Sequence, residues 1–212
     1  VDTNLFPKMV LPLVLVQKEA IDLIDEAMAG SRMLGRLIQD YYDRGARYST
    51  LCHTRNNDIC DSSTDDNGPE HDGLSQFGEE VVKEMNRFGI MIDVSHASDA
   101  SFYDVLQLSN TPVIASHSCA RAICDNPRNL DDDMLRALAD NGGVIQMCIL
   151  SAYVEEPQPN PERDSAMAAL REKWNNWDNL SDEEMKLARK DWQDMNVQFP
   201  RKLSSVKKVV DH

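Results

Sequence analysis

The sequence predicts an α/β protein built on a parallel sheet, and three observations carry that prediction. Short apolar runs at 46–53, 90–95, 112–116 and 144–150 alternate with amphipathic helical stretches, which is the repeated β-α pattern of parallel sheets. The first three runs each stop at or beside a histidine, His53, His96 and His117, so parallel pairing would bring all three to one edge of the sheet. The glycine signature of a nucleotide-binding first turn is absent, which favours a (β/α)8 TIM-type barrel over an open doubly wound sheet.

Each element has a local cause. Residues 1–6 and 10–16 offer two short strand-like pieces separated by Pro7 and Lys8. Residues 19–39 carry apolar side chains at helical spacing with a break near Gly30 and Ser31, and Gly45 ends the helical stretch. The β-branched and aromatic run 46–53 follows, and then a loop of Asn, Asp, Gly and Pro over 54–73, long enough to suggest a functional role. Ser75 caps a helix over 76–88 whose inward stripe is Phe77, Val81, Val82 and Met85, and Gly89 closes it. Residues 90–94 and 112–115 are too short and too apolar for surface helices and read as strands buried on both faces. Between them Ser98 caps a helix with Phe102, Val105, Leu106 and Leu108 on one side. A helix over 131–140 has acids in its first turn, and Gly142-Gly143 precede the run 144–150. From 152 to 200 the repeat gives way to an acidic helical insertion with Trp174, Trp177 and Trp192, expected to pack over the barrel mouth, and the last twelve residues resume as a barrel helix. The chain is expected to be a single barrel domain over 1–212, incomplete at both ends.

Composition narrows the function. A net charge of −14 opposes binding to nucleic acid or an anionic membrane. The longest apolar run, 9–16, contains Pro12 and is far short of the roughly 20 residues of a membrane span, and no basic region precedes it as in a signal peptide. Cys52, Cys60, Cys119, Cys124 and Cys148 have no CxxC spacing, so they read as buried thiols and not as a zinc cluster or disulfide framework. Adjacent parallel strands lie about 5 Å apart, close enough for His96 and His117 to share a metal ion or a substrate. A hydrolytic metal site also needs carboxylates, for which Glu26, Asp58, Asp61 and Asp93 are candidates. Arg128, in an Asn-Pro-Arg-Asn turn, could clamp a substrate carboxylate bidentately, while Asp131, Asp132 and Asp133 belong to the helix dipole.

The runs Tyr48-Ser-Thr-Leu-Cys-His53, Gly73-Leu-Ser-Gln-Phe-Gly78 with Val81-Val-Lys-Glu-Met-Asn86, Ile92-Asp-Val-Ser-His96, and Ala115-Ser-His-Ser118 through Pro127-Arg-Asn129 resemble the membrane dipeptidase (renal dipeptidase) family of zinc peptidases. The match is dense and collinear from about residue 30 to residue 150. The resemblance implies a metallohydrolase-type (β/α)8 barrel with two zinc ions that hydrolyses dipeptides bearing a free C-terminal carboxylate. It makes His96 and His117 zinc ligands, His53 the catalytic and substrate-binding histidine that polarises the scissile carbonyl, and Arg128 the substrate-binding clamp on the carboxylate. Glu26 has the spacing of the bridging metal ligand, though its surroundings read as helical. The family's first strand ends in His-x-Asp, where this chain has Asn4 and no matching aspartate, and the late-strand aspartate that serves as proton shuttle lacks a counterpart before His212. At most one tightly held zinc is therefore expected, and a catalytically inactive relative that binds metal or peptide without turnover is the alternative. The resemblance favours a cell-envelope or secreted location. An exposed parallel edge would invite self-association into a homodimer.

Overall fold

The structure, a computed structural model, describes residues 13–14, 31–156, 158–175, 180–201 and 203–212. Its centre is a five-stranded sheet of β1 (Leu13–Val14), β2 (Tyr48–Thr50), β3 (Met91–Asp93), β4 (Ile114–Ser118) and β5 (Val144–Met147), in that spatial order. Every neighbouring pair is parallel. The predicted α/β class therefore holds, and among the described residues no pairing joins β5 back to β1.

Helices α1 (Ser31–Asp43), α2 (Gln76–Phe88), α3 (Asp99–Leu108) and α4 (Asp132–Asp140) cross over between successive strands. Ser75, Ser98 and Gly89 act at these ends as the sequence indicated, whereas Asp131, expected inside the helix as part of its dipole, is the N-cap of α4. The hydroxyl of Ser75 accepts from the Gly78 N–H and that of Ser98 accepts from the Ser101 N–H, while the Asp131 carboxylate takes the Met134 N–H. Gly89 closes α2 with φ of 75°, a left-handed geometry that costs other residues but not glycine. Val81, Val82 and Met85 of α2, Phe102 and Val105 of α3, and Met134 and Leu138 of α4 meet Ile92, Val94, Val113 and Ala115 in one core. Phe77 is only partly buried at the margin of that core, and in its place Gly78 faces inward, packed against the Ile59 carbonyl.

The strands are shorter than their apolar runs. The first predicted strand, 46–53, pairs only over Tyr48–Thr50, because Leu51 and Cys52 are already turning into the loop that carries His53. The last predicted strand, 144–150, ends at Met147, and Ile149 and Leu150 lead exposed into the short helix α5 (Ser151–Val154). Beyond it lie α6 (Pro161–Lys173), α7 (Asp182–Gln198) and α8 (Val206–Asp211). Ser181 and Glu184 form a reciprocal capping box on α7. The buried Arg163 of α6 donates to the Phe199 carbonyl and to Asn196, tying the start of α6 to the end of α7. No helix among the described residues is long and apolar enough to cross a membrane. The strand-like piece 1–6, the helical stretch before Ser31, and Trp177 lie outside the described residues.

Candidate active site

Parallel pairing sends the carboxyl ends of β2, β3 and β4 to the same edge, and there the three histidines meet. The His53 and His96 ring centroids are 4.2 Å apart and those of His96 and His117 are 4.9 Å apart. The Nε2 atoms of His96 and His117 face each other at 2.9 Å. His53 is exposed, His117 half-buried and His96 buried, so the cluster runs from solvent into the protein.

Backbone geometry places His96. The Ala97 N–H closes a turn onto the Val94 carbonyl, and His96 occupies the third position of that turn with φ of 74°. Glycine is the unstrained choice there, and holding another residue in that region costs about 1–3 kcal/mol. The surroundings hold it in place: the Ser63 N–H donates to the His96 carbonyl at 2.8 Å, and Ser62 bridges to Ala97. The Ser62 hydroxyl also donates to the His53 carbonyl at 2.6 Å, so one loop braces two of the histidines. That loop is organised by Asp61, whose buried carboxylate accepts N–H bonds from Glu70, His71 and Gly73. Gly73, at φ of 137°, sits so close to Asp104 that a side chain would collide with its carboxylate.

Electrostatics keep the buried imidazoles neutral. Burial, then the positive charge of Arg128, then His53 and His117 push His96 down from 6.5 to about 3, with the His53 backbone acting weakly in the opposite direction. His117 is lowered by burial first and by Arg128 next, against an upward pull from Asp93. Arg128 is 4% exposed, and one of its terminal nitrogens donates to the His117 carbonyl at 3.1 Å. Its guanidinium carbon lies 5.5 Å from the Tyr153 ring centroid, and its Nε is buried without a hydrogen-bond partner. Read alone in the sequence, this arginine belongs on the surface. The fold buries it beside the histidines with donor capacity to spare.

The chemistry of these donors fits a cation. Two neutral imidazoles converge through Nε2, and the Nδ1 of His117 contacts the Ser116 hydroxyl, which in turn donates to the Asp93 carboxylate. That is the outer support common to metal-ligating histidines. Among the described residues no group of three or more His, Cys, Asp or Glu is arranged to hold a metal ion. Glu26, the expected third ligand, lies outside the described residues, as does Asn4. The other candidate acids have different posts. Asp93 is buried beneath the histidines as a hydrogen-bond acceptor, Asp61 clasps the loop, and Asp58 is exposed. Sequence reasoning missed Ser116, Thr50 and Tyr153. The available signal was the pairing of Ser116 with the adjacent His117, one strand across from Asp93 at the same edge.

A parallel α/β layout with imidazoles and a buried arginine gathered at the carboxyl edge of its strands is the arrangement of α/β folds that build their sites on strand ends. The chain belongs to the membrane dipeptidase family, peptidase family M19, whose model matches residues 27–212. It is 42% identical over 127 residues to Dipeptidase verJ of Clonostachys rogersoniana, covering 60% of this chain and 32% of that protein. It is 45% identical over 116 residues to Dipeptidase 3 of Macaca fascicularis, covering 53% of this chain and 24% of that protein. The chain thus spans about a third or less of these curated relatives. Among solved structures it resembles the probable dipeptidase PvdM from Pseudomonas aeruginosa at 25% identity and TM-score 0.65, covering 98% of this chain and 58% of that one. It also resembles a metallo peptidase from Rhodobacter sphaeroides liganded with a phosphinate mimic of the dipeptide L-Ala-D-Ala, at 26% identity and TM-score 0.53, covering 60% of this chain and 36% of that one.

Proposed function

We propose that this chain carries the site of a zinc-dependent dipeptidase that acts on dipeptides with a free C-terminal carboxylate. The observation that carries the reading is the convergence of His53, His96 and His117 beside the buried, incompletely partnered Arg128. His96 and His117 would hold the metal through Nε2, with Glu26 as a third ligand. A bound zinc ion supplies Lewis-acid polarisation and activation of water. The protein's own groups do the rest. Arg128 takes the substrate carboxylate, which fixes the register of the dipeptide at the strand ends. His53, at the solvent side of the cluster, hydrogen-bonds the scissile carbonyl oxygen and stabilises charge that develops there. The burial of each ring and the nearby guanidinium favour the unprotonated form of both imidazoles.

With Asn4 at the place of a first-strand ligand, at most one tightly held ion per chain is expected. The test is metal content by mass spectrometry together with dipeptide turnover in the same sample, for the wild type and for His117→Ala. One ion lost in His117→Ala, with turnover lost alongside it, supports the reading. Two stoichiometric ions would overturn the single-site assignment. One ion without turnover of any dipeptide would favour the competing reading, a relative that binds metal or peptide without hydrolysis.

A further inference from the structure

We propose that Asp93 and Ser116 are positioning residues for His117: together they hold its imidazole in the Nδ1–H form, so that the Nε2 lone pair is presented to the histidine cluster. The argument is a count of protons. The Asp93 side chain is buried with 0% exposure and is surrounded by donors. Its Oδ1 accepts the N–H groups of Ser95 and Ser116, each at 3.0 Å. Its Oδ2 accepts the Thr50 hydroxyl at 2.7 Å and the Ser116 hydroxyl at 2.5 Å. A carboxylate only accepts, and a serine hydroxyl has one proton, so the Ser116 proton is committed to Asp93.

The same Ser116 oxygen lies 2.7 Å from the His117 Nδ1 and can act toward it only as an acceptor. Nδ1 must then carry the hydrogen, which in a neutral imidazole leaves the lone pair on Nε2, where in the metal-free protein it accepts from the His96 Nε2–H at 2.9 Å. The ring cannot easily turn away from this arrangement, because the His117 backbone is pinned on both sides. Its N–H donates to the Ser95 hydroxyl at 3.0 Å, and its carbonyl accepts from Arg128 at 3.1 Å. Thr50 of β2, Asp93 of β3 and Ser116 of β4 thus form a polar tier beneath the histidines that links three strands. The consequence for metal affinity rests on the reading given under Proposed function, whereas the consequence for the tautomer does not.

The test is long-range proton–nitrogen NMR on the full chain, labelled with nitrogen-15 histidine, treated with a chelator and held near neutral pH, with His117 assigned by its loss in His117→Gln. A protonated Nδ1 and a bare Nε2 are expected in the wild type. Ser116→Ala should shift His117 toward the Nε2–H form and weaken zinc binding about 10–100-fold in a competition titration. Ser116→Thr, which keeps the hydroxyl, should restore both. An Nε2–H ring in the wild type, or a tautomer indifferent to Ser116→Ala, overturns the proposal. If Ser116→Ala does not fold, the wild-type spectrum decides alone. The expected tautomers in a chain that takes up no zinc would support the positioning role and overturn the metal reading.

Discussion

The edge formed by β2, β3 and β4 and the region from β5 onward are parts of one chain held by different physics. At the first edge most buried polar groups are paired: Asp93, Ser95, Asp61 and Asn129 are almost inaccessible, and their hydrogen bonds run between strands and loops, while His96 Nδ1 and Arg128 Nε stay without a partner. From β5 onward the balance reverses. Val144, Ile149, Val197, Leu203, Val206 and Val210 are exposed by 56–82%, and ion pairs lie at the surface: Lys190 with Asp194 and Lys207 with Asp211 one helical turn apart, and Lys173 with Asp191 between α6 and α7. Such pairs contribute little individually. The contrast teaches where precision is built. A buried polar network has few alternative arrangements because each unsatisfied member is costly, whereas solvated helices joined by surface pairs tolerate many.

The sharpest way to break this contrast is Asp93→Ala. It strands two N–H groups and two hydroxyls in the core, and a loss of about 3–5 kcal/mol is expected from urea denaturation. A loss below about 1 kcal/mol would mean that the tier beneath the histidines is not what holds the edge. Next is Arg128→Met. Dipeptides with a free carboxylate should bind about 100-fold more weakly, roughly 2–3 kcal/mol, while the corresponding C-terminal amides and the zinc content stay unchanged. Competition binding with both ligand types checks this, and an equal loss for amide and acid would assign Arg128 to structure alone.

Asp61→Asn comes third. Burial by itself would raise the Asp61 carboxyl, but the N–H groups of Glu70, Gly73 and His71 outweigh it and hold it below the ordinary value of 3.8. The folded form therefore binds its proton less readily than the unfolded chain. The stabilisation is fully present above pH 3.8 and is lost as pH falls through the lower folded value. The variant should cost about 1–3 kcal/mol at neutral pH and should show a shallower acid limb. An unchanged acid limb in denaturation between pH 5 and pH 2.5 would remove Asp61 from that role. The smallest effect belongs to the second region: Val197→Thr on α7, at a site 82% exposed, should change stability by no more than about 0.5 kcal/mol.

Much of this was legible without coordinates, because the causes are local. The hydroxyls of Ser75 and Ser98 and the backbone of Gly89 mark helix ends through bonds to backbone only a few residues away. Period alone separated α2, α3 and α4 from the apolar runs between them, and the β-α order then required parallel strands and a shared edge for the histidines. Strand lengths were overestimated at both 46–53 and 144–150. At Leu51 and Cys52 apolar character persists past the last paired residue because the chain turns away while still buried, whereas Ile149 and Leu150 are apolar but exposed.

What the amino-acid order determined by itself was therefore the alternation of elements, their caps, and the grouping of His53, His96 and His117 at one edge. The tertiary structure decided which polar groups around them matter. Asp93 is separated from Thr50 by 43 positions and from Ser116 by 23, so nothing in the local sequence says that one carboxylate serves both hydroxyls. Arg128 was a candidate clamp in the sequence, but its burial, its bond to the His117 carbonyl and its place beside Tyr153 were set by the fold. The physical reason is range. Caps and periodicity are settled within one or two helical turns, whereas a proton's place in a buried network depends on partners that only parallel pairing brings together.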